Sequence, residues 1–319
     1  MHNIKSIRDN FDEFKKKIQN RNVNFDVEKL KNLDVKNREL IQKKETLEKD
    51  KKEISKIKDK SLFEKSKIIS KKIETIVSEQ KTVKNELNNI LSNLPNIALE
   101  NVPIGKDETF NEVVSTHGEI KEFDFKPKTH FELGEKLKML DFDLATKTTS
   151  SRFVFVKSEL ASLERAISNY MIDLHTKING YLEISPPLIA NESTMFGTGQ
   201  LPKFENDQFE LLLDDKSDRK FLIPTAEVIL TNMVKNTSLE EKDLPIRLVA
   251  STPCFRKEAG SYGKDTKGMF RQHQFYKVEL VSIVDPKKCK EELDRMINCA
   301  EEILKRLKLP YKTVLLSSG

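Results

Sequence analysis

The chain has 319 residues, enough for two domains, and with 37% hydrophobic residues, 18 Phe and only 10 Gly and 11 Pro it is too apolar and too regular for a disordered protein. Three cysteines, Cys254, Cys289 and Cys299, form an odd set without C-x-x-C spacing, which argues against a disulfide framework or structural zinc site and fits a reducing, cytoplasmic location. The amino terminus has no apolar h-region, and no apolar run approaches the roughly 20 residues of a spanning helix, so secretion and membrane insertion are not expected.

The formal net charge of +5 is not spread evenly: residues 26–94 hold 18 Lys+Arg against 13 Asp+Glu, and the remainder balances at 38 against 38. This segment has neither Gly nor Pro, which permits long unbroken helices. In its second half Ile69, Ile76, Val83 and Ile90 recur every seven residues, and Ile73, Gln80, Leu87 and Leu94 form a companion row, together an a/d heptad seam. The first half keeps one row, Leu33, Leu40, Leu47 and Ile54, but its companion reads Leu30, Asn37, Lys44, Lys51. Ser61 and Glu64 fit a capping box at a chain reversal, so the segment is expected to form two antiparallel helices, an arm on the order of 45 Å long. Its charge suits either a solvated coiled-coil surface or a basic rod resting on nucleic-acid phosphates.

After Leu94-Pro95 the composition shifts to Pro and Gly, marking a connector. Apolar residues Leu160, Leu163, Ile167, Tyr170, Met171, Leu174 and Ile178 predict an amphipathic helix over 157–178, stopped by Gly180. YLEISPPLI reads as a short extended segment ended by Pro186-Pro187. FLIPTAEVIL, PIRLVASTPCF and FYKVELVSIV read as strands or strand-to-helix joints, giving an α+β domain. The last two enclose a loop, Lys257 to Met269, rich in Gly and Lys. On the returning strand, alternation predicts that Arg271, His273, Phe275, Lys277 and Glu279 share one face while Val278 and Leu280 take the other. A guanidinium, a ring and a carboxylate in order, with Arg256 approaching from the partner strand, suit a nucleotide plus a small amine. The plain alternative is an amphipathic hairpin with a charged exposed face. Gly260 to Lys264 lacks the spacing of a phosphate loop, Asp214, Asp215 and Asp218 lack the Gly and Glu of a calcium loop, and His117, His130 and His175 stand alone.

The string FRKEAGSYGKDTKGMFRQHQFYKVE, residues 255–279, resembles motif 2 of class II aminoacyl-tRNA synthetases, and in this form the seryl-tRNA synthetase family. The helical arm, THFELGEKL at 129–137, GYLEISPPLI with GTGQLPKF at 197–204, and PTAEV at 224–228 agree in order, so the similarity spans the chain. The resemblance implies residues 1–100 as a tRNA-binding helical domain and 101–319 as a class II catalytic domain built on an antiparallel sheet flanked by helices. It implies serine--tRNA ligase activity: ATP-dependent formation of seryl-adenylate, then transfer to tRNA(Ser), with tRNA(Sec) a further candidate, by a cytoplasmic homodimer joined near Pro187.

By the same resemblance Arg256, Glu258 and Arg271 carry catalysis, with Arg256 on the α-phosphate, Glu258 on the adenine and Arg271 on the bent triphosphate. Lys257, Gln272, His273, Gln274 and Phe275 complete the ATP site, Phe275 by stacking on the base. Thr225, Ala226, Glu227 and Glu279 hold L-serine. Magnesium accompanies ATP, and no residue is assigned as its ligand. Two departures stand out: Ser150 replaces the family's Gly, and the sequence stops at Gly319, before motif 3, so the chain is read as a fragment with little activity of its own. The competing readings are a synthetase-like tRNA- or nucleotide-binding protein without aminoacylation, and a coiled-coil interaction protein that binds no ATP.

Overall fold

The structure, a computed structural model, describes residues 2–57, 62–215, 217–259 and 268–319. They fall into two compact units, 1–115 with 312–319, and 116–311.

In the first unit, α1 (Ile4–Asp9) and α2 (Phe11–Gln19) precede a helical hairpin of α3 (Val27–Lys56) and α4 (Phe63–Asn93). Asp26 caps α3 through the amide of Lys29. Ser61 of the expected capping box lies outside the described residues. The heptad seam is as the spacing predicts: Ile69, Val83 and Leu87 are buried and Ile76, Ile90 and Leu94 half-buried. At the base Leu30, Leu33, Leu40 and Leu91 join Ile7, Phe14 and Ile18 in one core. Further out, Lys44 and Lys51 occupy the companion row half-buried, and the Lys44 ammonium lies 3.6 Å from the Glu48 carboxylate.

One buried charge was not legible in the sequence. Asp34, 2% exposed, receives Arg8 through Nε and Nη2, both at 2.8 Å, and Arg38 at 3.3 Å. The pairing ties α1 to α3 and holds the Arg8 guanidinium above its ordinary pKa. Among the described residues, removing Arg8 leaves the buried Asp34 carboxylate with only the half-exposed Arg38 as partner. Arg8→Ala is therefore expected to destabilise this unit by about 3 kcal/mol, read as a drop in the urea midpoint without a change in slope. The unit also contains β1 (Glu112–His117), paired with β10 (Tyr311–Leu315), apart from end residues of each.

The second unit begins with α5 (His130–Lys136), which opens on a Thr129–Glu132 capping box. A two-stranded piece, β2 (Leu140–Asp141) with β3 (Phe155–Val156), encloses α6 (Phe142–Thr148). The predicted amphipathic helix is α7 (Ser158–Lys177), and Gly180, at φ +67°, follows its end. Next come β4 (Leu182–Glu183), β5 (Ile189–Asn191), α8 (Glu192–Gly197), β6 (Glu210–Leu211), β7 (Lys220–Leu222) and α9 (Glu227–Asn232). The long antiparallel hairpin of β8 (Ile246–Phe255) and β9 (Gln274–Ile283) follows, then α10 (Cys289–Arg306).

The hairpin is the centre of this unit, with β4 added parallel to β8. One face packs under α9 through Leu248, Ala250 and Val281 against Ala226 and Leu230. The other carries Val249, Val278 and Leu280 against Ile172 of α7 and Cys299 of α10. The register sets Leu248 opposite Val281, Ala250 opposite Glu279, Thr252 opposite Lys277 and Cys254 opposite Phe275. The α9 face thus turns from apolar to polar as it runs from Val281 towards Phe275.

Candidate functional site

Alternation on β9 places Phe275, Lys277 and Glu279 on that α9 face, as the sequence predicts. It does not carry through to Arg271 and His273. The ladder ends at Gln274, and the His273 amide turns to the Arg152 carbonyl at 2.9 Å, so residues 271–273 form a loop outside the pleat. The loop tip from Gly260 to Lys267, with the Gly and Lys residues read as an anion-attracting end, lies outside the described residues.

Arg256 stands just beyond β8. Its guanidinium lies 5.2 Å over the Phe275 ring, and its Nε donates to the Pro224 carbonyl at 3.2 Å. The backbone fixes it further, since its amide donates to the His273 carbonyl and its own carbonyl accepts from His273 Nδ1, both at 2.9 Å. The His273 ring sits against Phe153 and Phe209, with centroids 5.4 and 6.0 Å away. His273 therefore acts here on the position of Arg256.

Glu258 occupies a left-handed conformation, φ +51°, and its carboxylate accepts from Arg271 Nη1 at 3.1 Å while its carbonyl accepts from Arg152 Nη1 at 3.3 Å. Asp207 ties this stretch down by accepting from the amides of Lys257 and Ala259. The Lys257 ammonium lies over Phe209. Gln272 is buried and donates to the Gly268 carbonyl at 2.9 Å, whereas Gln274 is exposed. Gly268, at φ +84°, lets the returning loop approach α5 so closely that a Cβ would stand 2.3 Å from His130 Nε2, which accepts the Met269 amide.

The other end of the site is carboxylate-rich. The loop after β7 brings Thr225 and fully buried Ala226, and the first residue of α9 brings Glu227, against β9. The Thr225 hydroxyl donates to Glu279 Oε2 and accepts from Lys277 Nζ at 3.1 Å. Lys277 in turn pairs with Glu279. Burial first, and then the charge of Glu279, push the Glu227 carboxyl up from its ordinary pKa, against the opposing pull of Lys277 and Arg256. Burial likewise raises the Cys254 thiol, which leaves it a poor nucleophile. A guanidinium and ring at one end and two carboxylates with a hydroxyl at the other suit a ligand bearing a phosphate, a flat base and an ammonium. Lys277 carries no functional signature in the sequence beyond its same-face spacing; its partners Thr225 and Glu279 explain its place.

Comparisons with known proteins converge on one family. Residues 1–98 match the seryl-tRNA synthetase N-terminal domain, and residues 204–319 the tRNA synthetase class II core domain (G, H, P, S and T). A serine--tRNA ligase of Pelagibacter ubique is 65% identical over all 319 residues, which span 76% of it. One from Parvibaculum lavamentivorans is 53% identical over 231 residues, 72% of this chain and 53% of that protein. The crystal structure of seryl-tRNA synthetase from Pyrococcus horikoshii complexed with ATP superposes with a TM-score of 0.88 at 31% identity, covering 100% of this chain and 77% of that one. The cytoplasmic Naegleria fowleri enzyme in complex with AMP gives 0.83 at 29% identity, over 96% and 71%.

Proposed function

Because the chain belongs to the seryl-tRNA synthetase family, we propose that it serves ATP-dependent activation of L-serine and transfer of the seryl group to the 3′ end of tRNA(Ser), with tRNA(Sec) a second candidate. The observation that carries this reading is the meeting of Arg256 and Phe275 with Thr225, Glu227 and Glu279 on one face of the hairpin. The serine carboxylate is already ionised and attacks the α-phosphorus in line, so pyrophosphate leaves without a general base. Arg256 offers charge to the phosphoryl oxygens as negative charge builds. Phe275 supplies a flat face for adenine, Glu258 helps to place that base, and Arg271, hydrogen-bonded to Glu258, engages the bent triphosphate. Glu227, Glu279 and Thr225 receive the ammonium and hydroxyl of serine. A synthetase-like binder without this chemistry would have no need of both ends together.

Among the described residues no group of three or more His, Cys, Asp or Glu is placed to hold a metal ion. Magnesium is taken to accompany ATP as part of the substrate. The lysines of α3 and α4 supply a basic rod for the phosphates of a tRNA, a contact that weakens with salt. The α7 face leaves a groove of about 310 Å³ whose lining mixes Leu160, Leu163, Ile167 and Met171 with Glu164 and Ser168; dimerisation near Pro187 rests on the family reading alone. A cytoplasmic homodimer belongs to the same family reading. None of the described helices is long and apolar enough to cross a membrane.

The test is serine-dependent ATP–pyrophosphate exchange, run on this chain and on one extended to the next stop codon, with alanine and threonine as controls. Exchange with serine alone supports the reading, and silence from both chains refutes it. Thr225→Val in an active chain is expected to lower serine-dependent kcat/KM by on the order of 10- to 100-fold, because the buried partners of the lost hydroxyl are stranded. ATP affinity, measured by calorimetry, stays unchanged.

A further inference from the structure

The Thr225 hydroxyl has one proton and two lone pairs. Its proton goes to Glu279 Oε2, and its lone pairs take the Glu227 amide at 3.3 Å and the Lys277 ammonium at 3.1 Å. The oxygen is saturated by its own chain, and Thr225 is only 2% exposed. Glu279 is likewise engaged by Lys277. An incoming ammonium that is to touch Thr225 and Glu279 therefore meets a primary ammonium already standing there. Lys277 can yield: its side chain is 34% exposed and ends a flexible four-carbon stem.

Resting on the amino-acid reading above, we propose that Lys277 is a resident stand-in for the ligand's ammonium, displaced when an α-amino acid binds and handed to that ligand's own carboxylate. The exchange conserves charge. One ammonium replaces another beside Glu279 and Glu227, and a zwitterion supplies the anion that the released lysine needs. A simple amine supplies none, so it must separate Lys277 from Glu279 without compensation. The charged groups facing this point are Glu227 at the start of α9, Lys277 and Glu279 on β9, and Arg256 beyond β8. Lys277 thereby favours whole amino acids over the amines derived from them, a selectivity of difference rather than of fit.

The experiment titrates the full chain with L-serine and with ethanolamine, which is serine without its carboxylate, using ligand-observed NMR. Wild type is compared with Lys277→Met and Lys277→Arg, and Lys277→Gln replaces the methionine variant if that one does not fold. In Lys277→Met, ethanolamine should bind about tenfold more tightly than to wild type and serine more weakly, collapsing the preference for the zwitterion. Lys277→Arg should retain the preference. If both ligands weaken in parallel in Lys277→Met, Lys277 is only a support for the carboxylates and the proposal is wrong. Should wild type bind neither ligand, the amino-acid site itself is refuted, a result told apart by the silent wild-type titration.

Discussion

Arg256→Ala should weaken ATP binding by on the order of a hundredfold, about 3 kcal/mol, because in the proposed function Arg256 makes a charge-assisted phosphate contact in a partly buried site. The residue is held from three directions: its guanidinium lies over Phe275, its Nε donates to the Pro224 carbonyl, and its backbone exchanges bonds with His273. Such a side chain is pre-organised, so little ordering remains to be done when the nucleotide arrives. Lys at this position keeps the charge but loses both the planar stack and the fork, and should recover only a small part of the loss. Calorimetric titration of ATP into wild type, Arg256→Ala and Arg256→Lys measures this. Equal affinities in all three would remove Arg256 from the nucleotide site.

The second large effect lies behind the site. Glu292, on α10, receives Arg247 of β8 through Nε and Nη2 at 2.8 and 2.7 Å, Ser282 of β9 at 2.8 Å and Arg295 at 3.1 Å. Arg247 above all holds its carboxyl down at about 2, against an ordinary value of 4.5. A depressed carboxyl contributes stability that is complete above its unfolded pKa and is lost as pH falls through the folded one. The shift corresponds to about 3 kcal/mol at neutral pH. Glu292→Gln should therefore lower the midpoint of urea unfolding markedly at pH 7, with the gap to wild type closing between about pH 4.5 and 2. A gap that is constant with pH would mean that packing, not charge, is responsible. Because the same carboxylate joins α10 to both strands of the hairpin, its loss should also loosen the sheet that carries Phe275 and Glu279.

Features set by a short period were legible in the sequence. The seven-residue rows of Ile69 and Ile73 gave the hairpin of α3 and α4, and the two-residue alternation of Phe275, Lys277 and Glu279 gave the site face of β9. Period fails where the backbone leaves its repeat, which is why Arg271 and His273 were assigned to a strand that ends at Gln274. It is also silent on partners far apart in the chain. Asp34 looked like one more charged helix residue, yet Arg8 makes it a buried anchor across 26 positions. Arg247 and Glu292, 45 positions apart, gave no local sign of their pairing. The small antiparallel sheet of β5, β7 and β6, where Arg219 gathers Glu192, Glu205 and Glu210, is assembled from strands of two or three residues, too short for a pattern to declare itself.

The seam of the arm grades its mechanics. Near the base, Leu33, Leu40, Val83, Leu87 and Leu91 interlock and α1 and α2 brace them; along α3 the companion row then passes to Asn37, Lys44 and Lys51, so that farther out the apolar contact is one-sided, carried by α4 with Ile69 still buried. A rod built this way is stiff where it is clamped and increasingly compliant outward, since resistance to bending follows the apolar contact that must slide. The lysines that weaken the seam also add positive charge to it. Compliance and positive charge therefore rise together, and the part of the arm best able to follow the curvature of a polyanion is the part most strongly drawn to it.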